Sequence, residues 1–516
     1  MYGGSAAHNF SNGAVPPIML GQVWSLTGNA TLGSAVTADG FAYVADVDTI
    51  PAPTGPNLVV HKVVTENGSA APAYGAWTTR VTLADAVTLA PGRSPAVDAN
   101  RVYVLFTAKY ASDYGEVLVA LNAATGAVAW TFNQTTRWAS GSPAGTRSAP
   151  LLTGSLVIFG SQDGSVYALN AATGTLSWWF PTGTPLETVP AAEGTIVYVT
   201  SGTELHFLDI NGLTDGDAGP VEGGGWTGDE IVLPVDVGVG IEASPVVADP
   251  YVYVAAGGDL WALNRMFGGP PVWSATTTWG SVGTPAILGD TIVVRRSDDR
   301  VYAFDRTSGQ ILWVRGGMMA TGETDVAAAD GRIFLTATTT IGLALVTFDA
   351  TDGRIVHQAS LPSGPLGAPV AASDLVITSS GPELIAFRGQ PDVAALSTDV
   401  VLSAEQASNG VARGNLTIAI RNMGDEPAIG ARVRVYDGSP GPTTLIADFI
   451  VGNTTKPIKA GGRSEGNVTA TRDWTVGRHE VWVVVDSVPN EENTANNQAL
   501  VVLYVEPGQP RTIVVG

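Results

Sequence analysis

Most of this chain is built from short runs in which apolar and polar residues alternate, with Gly, Asn or Asp at their ends. That pattern predicts half-buried β-strands joined by tight turns. One unit reads Leu156-Val157-Ile158-Phe159-Gly160, a Gln162-Asp163-Gly164 turn, then Ser165-Val166-Tyr167-Ala168-Leu169. It continues through Asn170-Ala171-Ala172-Thr173-Gly174 to a strand bearing Trp178. The same phrase returns from Leu118 through Gly126 to Trp130, and from Val301 through Gly309 to Trp313, always with Trp four residues after Gly. No long stretch keeps the 3.6-residue apolar spacing of a helix.

A second landmark opens each unit. It reads Ser94-Pro95-Ala96-Val97, Ala149-Pro150-Leu151-Leu152, Val189-Pro190-Ala191-Ala192, Ser244-Pro245-Val246-Val247, Thr284-Pro285-Ala286-Ile287 and Ala368-Pro369-Val370-Ala371. Ser34-Ala35-Val36-Thr37 and Thr324-Asp325-Val326-Ala327 are weaker copies. Units of about 40 residues with four short strands each, some with loop insertions, predict an eight-bladed β-propeller over 20–390. The last unit ends at Leu384-Ile385-Ala386-Phe387-Arg388-Gly389 without its Trp strand. Leu20-Gly21-Gln22-Val23-Trp24-Ser25-Leu26 matches the missing piece, so residues 20–27 are expected to supply the outer strand of blade eight and close the ring. Insertions at 48–76, 107–114 and 213–227 hang loops on this scaffold, where function tends to sit. Residues 1–19 read as a flexible arm.

At Gly389-Gln390-Pro391-Asp392 the period stops. Strands are predicted at Val393–Leu402, Asn415–Asn422, Ala428–Asp437, Thr444–Val451, Asn467–Trp474, His479–Ser487 and Ala499–Val505. Such a series predicts an Ig-like β-sandwich over 391–506, with 507–516 as a tail. The fold class is therefore all-β.

Composition narrows the function. The 516 residues carry a net charge of −21 and no cysteine. Only Lys62, Lys109, Lys456 and Lys459 are lysines. Nucleic acid needs a basic footprint, and a polybasic membrane patch needs the same, so both are disfavoured. Disulfides, thiolate metal sites and Cys nucleophiles are excluded. No secretory signal or transmembrane run is visible.

The Ala-Leu-Asn-Ala-Ala-Thr-Gly phrase with its following Trp resembles the pyrroloquinoline-quinone-type propeller repeat. The resemblance rests on Gly126/Trp130, Gly174/Trp178, Gly309/Trp313 and, more loosely, Gly269/Trp273. That superfamily includes quinoprotein dehydrogenases and a non-enzymatic outer-membrane assembly lipoprotein. The resemblance implies that Trp24, Trp130, Trp178, Trp273 and Trp313 dock between neighbouring blades. His357, four residues after Gly353, reads as a replaced docking position. Family enzymes hold the quinone with calcium and use an Asp base, many with adjacent Cys residues. This chain lacks Cys, and neither the stacking Trp nor the calcium set maps onto particular positions. The C-terminal segment resembles the cell-adhesion-related (CARDB) Ig-like domain at 419–425, 433–437, 485–487 and 490–497, with Thr494 where an acid is common.

Three candidate constellations remain. Arg93, Arg147, Glu187, Glu242 and Glu323 precede opening segments and are expected at the funnel mouth. They read as a cation or polar-ligand site, or more plainly as solvated, mutually paired charges. Asp209, Asn211, Asp215 and Asp217 alternate oxygen ligands as a calcium loop does, and read more simply as an Asx-rich turn. Sequons at Asn9, Asn29, Asn67, Asn133, Asn415, Asn453 and Asn467 are candidate glycosylation sites. The sequence reading is a secreted or cell-surface binding or structural protein, non-enzymatic. Its expected partners are other surface proteins, glycans or itself. A quinone- and calcium-dependent dehydrogenase and an envelope assembly scaffold are the alternatives.

Overall fold

The computed structural model describes the chain outside residues 1–10, 13–19, 29–31, 49–55, 66–74, 84–85, 92, 135–137, 139–147, 211–229, 242, 266–267, 276–282, 297, 320–324, 330, 373–374, 390–392, 405–409, 425–426, 460–461, 465–467, 489–490, 492–495, 506–513 and 516. The described residues are all-β, and they divide into two compact units.

Among the described residues the larger unit holds eight sheets, antiparallel except where Ser11–Asn12 joins the seventh. The third is representative: Leu151–Thr153 innermost, then Leu156–Gly160, Ser165–Asn170 and Leu176–Pro181. The first begins at Val36–Ala38, the second at Ala96–Val97, and the fourth at Ala191–Glu193. The fifth begins at Val246–Ala248, the sixth at Ala286–Leu288, the seventh at Ala327–Ala329 and the eighth at Val370–Ala372. Two sheets carry more than four strands. Thr88–Pro91 adds to the second beside Arg101–Lys109, and Ser11–Asn12 adds to the seventh.

Both faces of each sheet are apolar, so no sheet is stable alone. The buried side chains accordingly cluster across the seams. Ile158, Val166 and Trp178 of the third sheet pack with Val197, Val199 and Leu208 of the fourth. Val293, Ala303 and Trp313 of the sixth pack with Ile333, Leu335 and Val346 of the seventh. Sheets stacked radially in this way make a β-propeller.

The strand Leu20–Thr27 lies outermost in the eighth sheet, beside Glu383–Gly389. Trp24 reaches onward to the first sheet, where its indole N–H donates to the Thr65 carbonyl at 2.6 Å. Trp24 then shares a buried cluster with Ala42, Val44 and Val63 of the first sheet and with Leu375, Ile377, Leu384 and Ala386 of the eighth. The start of the chain thus joins the last sheet to the first.

The repeated phrase works at each seam through its glycine. Asn170 caps its turn by accepting from the Ala172 and Thr173 amides at 3.0 and 3.1 Å, and the Gly174 amide closes the turn onto the Asn170 carbonyl. Gly174 has φ +73°, and a Cβ there would lie 2.5 Å from the Trp130 ring of the preceding sheet. Gly126 faces Trp77, Gly309 faces Trp273 and Gly353 faces Trp313 in the same way. Each Trp therefore docks on the glycine of the following sheet, not on the one four residues before it. A bulge beside Trp130, Trp178, Trp273 and Trp313 aims the ring: Ala168 pairs Trp178 and Leu169 pairs Leu176, and Ala303 pairs Trp313 and Phe304 pairs Ile311, whereas Trp77 pairs Lys62 in a ladder without one.

One register expectation needs correction. In the seventh sheet the inner strand starts at Ala327, so Val326 lines up with Pro285 and Asp325 with Thr284. Without a Pro to mark the place, the sequence alignment slipped by one residue.

The smaller unit has two sheets. Val393–Ala404, Val411–Asn422 and Val468–Thr475 form one. Leu445–Val451, Ala431–Asp437, Gly477–Val485, Gln498–Val505 and Val514–Val515 form the other, in that order. Leu416, Ile418 and Trp474 pack with Val433, Val435, Val481, Val483, Val501 and Leu503 in one core. Glu491 is tied to this core by accepting from the Val393 amide at 2.8 Å and the Val488 amide at 2.9 Å.

Substituting Gly174→Ala forces both a left-handed alanine and a clash with Trp130, and is expected to cost about 2–4 kcal/mol. Gly154→Ala, at φ +56° with nothing within 4 Å, is expected to cost only about 1 kcal/mol. Urea denaturation of the two variants measures the difference, and equal losses would remove the docking role of Gly174.

Candidate functional site

The residue ahead of each inner strand faces its neighbours through short polar contacts. The Ser244 hydroxyl accepts from the Val189 amide at 3.0 Å, Thr284 accepts from the Ser244 amide at 3.4 Å, and Asp325 accepts from the Thr284 amide at 2.9 Å. The Ser34 hydroxyl accepts from the Ala368 amide at 3.0 Å. These bonds link the fourth to the fifth, the fifth to the sixth, the sixth to the seventh and the eighth to the first sheet. Ser244 and Thr284 stand before Pro, which is the recurring sequence signal, while Ser34 and Asp325 hold the same place without one.

One contact of this inner ring joins sheets that are not neighbours. Arg93 Nη1, ahead of the second sheet, donates to Asp325 Oδ2, ahead of the seventh, at 2.9 Å. Asp325 is 2 % exposed and Arg93 18 %. Burial pushes the Asp325 carboxyl up to about 7, with the Thr284 amide pulling the other way. The adjacent guanidinium favours the charged form, so the two groups hold each other across the inner ring.

Of the other funnel candidates, Glu187 is exposed. Arg147, Glu242 and Glu323 lie outside the described residues, so of the five only Arg93 and Glu187 have a described place. Of the calcium-loop candidates only Asp209 is described. It is buried and pairs Ile196 as Asn170 pairs Leu156, which is the turn-capping position of the repeat. Asn211, Asp215 and Asp217 lie outside the described residues. Among the described residues no three carboxylates or imidazoles gather to hold a metal. Among the described residues, then, no cluster of three carboxylates is present to seat the calcium that accompanies a quinone. Asn133, Asn415 and Asn453 are exposed, while Asn9, Asn29, Asn67 and Asn467 lie outside the described residues.

The docking aromatics share acceptors. Trp130 Nε1 and Tyr103 Oη both donate to the Ala171 carbonyl, at 3.1 Å each. Trp273 Nε1 and Tyr253 Oη both donate to the Arg306 carbonyl, at 3.2 and 3.0 Å. Trp313 donates to Ala350 at 2.9 Å, while the buried Trp178 indole N–H has no acceptor among the described residues. Trp77, which sequence reading missed, donates to Ala123 at 3.0 Å. Its position before Thr78 and Thr79, without the Gly four residues upstream, hid it. His357 pairs Thr347 in the register at which Trp313 pairs Ala303.

A second polar cluster lies between the second and third sheets. Gln134 Nε2 and Tyr167 Oη both donate to Asp163 Oδ2 at 2.6 Å, and Thr107 donates to Glu116 at 3.2 Å. Burial pushes the Glu116 carboxyl up to about 8, against the Thr107 bond that lowers it. Glu116 has no exposed surface, so it cannot meet a substrate from solvent and acts within the seam.

The family described as outer membrane protein assembly factor BamB matches residues 113–218 and 225–420, more than half of the chain. The chain belongs to that family. No curated protein sequence matches it. The structure resembles BamB from Moraxella catarrhalis at 18 % identity and TM-score 0.51, covering 72 % of this chain and 98 % of that one. It resembles the computationally designed Ika8 protein at 12 % identity and TM-score 0.53, covering 71 % and 99 %. It also resembles the quinohemoprotein alcohol dehydrogenase from Comamonas testosteroni at 14 % identity and TM-score 0.51, covering 74 % and 79 %. A natural assembly factor, a designed protein and an enzyme thus share the fold, so the fold alone selects none of their activities.

Two outcomes follow from the buried acids. Glu116 binds its proton more tightly folded than unfolded, so its contribution to stability is present below about pH 4.5 and is lost as pH rises to about 8. Glu116→Gln is expected to flatten that slope and to stabilise the protein at pH 8 by about 1–3 kcal/mol, read from urea melts at pH 5 and 8. Arg93→Met strands a buried carboxylate and is expected to cost about 3–5 kcal/mol at pH 8. The cost should shrink at pH 5, where Asp325 can be protonated, and Arg93→Met/Asp325→Asn should recover most of it at pH 8.

Proposed function

We propose that this chain is a non-catalytic binding and structural protein of the cell surface or envelope. The larger unit is an eight-bladed propeller serving as an interaction platform. The smaller unit is an Ig-like module of the CARDB kind acting as spacer, adhesion unit or assembly contact. The observation that carries this reading is the use to which the repeat puts its polar side chains. The Trp, Tyr, Ser, Thr and Asx groups described are spent on seams and turns, and Arg93 and Asp325 neutralise each other across the inner ring. What stays exposed for a ligand is the loops and the outer strands.

Family membership supports a role played through protein contacts, as a scaffold in envelope assembly or at the surface. The exposed Asn133, Asn415 and Asn453 suit glycosylation in an exterior setting. Proteins and glycans of that setting, or further copies of the chain, are the partners proposed.

The discriminating experiment is reconstitution. Purified protein incubated with pyrroloquinoline quinone and calcium is expected to show no dye-linked oxidation of alcohols or aldose sugars above the protein-free control. Activity that depends on the quinone would replace this reading with the dehydrogenase one.

A further inference from the structure

The smaller unit turns sharply between the strand Leu445–Val451 and Ile458. Gly452 opens the turn at φ +72°, and a Cβ there would lie 2.9 Å from the Ala428 carbonyl oxygen. Ile458 closes it by exchanging two backbone hydrogen bonds with Ala428, at 2.9 Å each. Asn453 and Lys456 exchange another pair, at 3.0 and 3.1 Å. Asn453, Thr454, Thr455 and Lys456 at the tip are all exposed. A fixed turn thus presents an Asn-x-Thr triplet to solvent.

Within the turn the two ends of the Asn453 carboxamide are treated differently. Its Oδ1 accepts from the Thr455 amide at 3.0 Å, the Thr455 hydroxyl at 2.8 Å and the Lys456 amide at 2.8 Å. Its Nδ2 makes no hydrogen bond among the described residues. An amide nitrogen is a poor nucleophile because its lone pair is delocalised onto the oxygen. It becomes competent as it loses a proton, when negative charge gathers on that oxygen. Three donors already aimed at Oδ1 stabilise this charge by the physics of an oxyanion hole, and leave Nδ2 open to an electrophile.

Other asparagines lack the combination. Asn415 lies mid-strand between Ser403 and Thr471, and in a strand the residue two places on is roughly 7 Å away, beyond hydrogen-bond reach for the Thr417 hydroxyl. Asn133 ends an outer strand, and its Oδ1 accepts from the Tyr110 hydroxyl at 3.2 Å. Asn122 and Asn170 cap their turns through Oδ1, but two places on they have Ala124 and Ala172, with no hydroxyl.

We propose that Asn453 is a preformed acceptor for N-linked glycosylation of the folded protein, with the sugar supplied by a lipid-pyrophosphate donor. A bond forms between Nδ2 and the anomeric carbon, and the bond from that carbon to the pyrophosphate oxygen breaks. The Nδ2 proton passes to a base of the transferring enzyme, and the lipid pyrophosphate leaves. The inference rests on the exterior setting proposed above; it selects one asparagine and gives Thr455 and Lys456 the task of polarising it.

The test uses purified full-length protein, an oligosaccharyltransferase and a lipid-pyrophosphate oligosaccharide, with occupancy at each asparagine followed by mass spectrometry. Synthetic peptides of residues 128–138, 410–420 and 448–458 give the rate of each triplet without the fold. The ratio of folded to peptide rate is expected to be at least one at Asn453 and about tenfold or more lower at Asn133 and Asn415. A ratio below one at Asn453, or an equal ratio at either other site, overturns the proposal. Gly452→Ala leaves the triplet intact and displaces the turn, and is expected to lower the Asn453 ratio about threefold or more. An unchanged ratio in that variant also overturns it, and the first comparison does not depend on the variant folding. Both reactants are purified, so failure here leaves the surface reading standing, and the quinone assay can overturn that reading without altering these rates.

Discussion

The ring depends on one contact made repeatedly: an indole laid on a backbone that has no Cβ. A four-stranded sheet with two apolar faces has no reason to exist in water by itself, and the only cover available is the next sheet. Trp77 on Gly126, Trp130 on Gly174, Trp273 on Gly309 and Trp313 on Gly353 supply that cover at the outer edge of four seams. An aromatic side chain removes roughly 150–250 Å² from water at about 25 cal/mol per Å², on the order of 4–6 kcal/mol before ordering costs. The indole N–H bond to a carbonyl of the following sheet adds direction rather than much energy. Alanine in place of glycine would lift the ring off its seat, and a positive φ at that turn makes glycine the residue that fits twice over.

Much of this was readable in the chain because the repeat writes the same local physics again and again. The period, the turn-closing glycine and the strand around Trp24 all stand out, since each needs only neighbours within one unit. What the sequence hid is relational. The glycine that receives Trp130 is Gly174 and not Gly126, because docking runs forward to the next sheet. Trp77 is hidden because the glycine before it, Gly75, lies two residues upstream and not four. Asp325 was placed one residue off, because no Pro marks its strand. The Arg93–Asp325 pair spans 232 positions and joins non-neighbouring sheets, and no periodic pattern can point to such a partner.

A fold shared with a quinohemoprotein dehydrogenase does not by itself bring that enzyme's chemistry, and the buried acids of this chain have structural work of their own. Asp209 sits where Asn170 caps a turn. Asp325 is held by Arg93 and Thr284, and Glu116 is sealed within a seam. Asp325 bridges three sheets through Arg93 and Thr284, and Glu116 is bonded to Thr107 inside its seam. A group so engaged is poorly placed to bind a metal or to move a proton for a substrate, because doing so would release the contact that positions it.

The seams are not equivalent, and the differences concentrate around the fourth sheet. On one side Trp178 is buried but its indole N–H has no acceptor among the described residues. On the other side the register that carries Trp in the third sheet carries Val232 opposite Phe207, and a Cβ at Gly269 would meet nothing within 4 Å. That seam is joined instead by Tyr198 to the Arg265 carbonyl at 2.9 Å and by Ser244 to the Val189 amide. The seventh sheet also lacks its Trp, having His357 there, but Thr336 donates to the Gly367 carbonyl of the eighth at 3.1 Å, and Ser11–Asn12 adds a strand on its axial side. A closed ring distributes load over all its seams, so a sheet can lose the outer docking contact when polar bonds or an added strand hold its inner end. The fold tolerates sequence change in this way because each seam has two ends, and only one of them has to be well made.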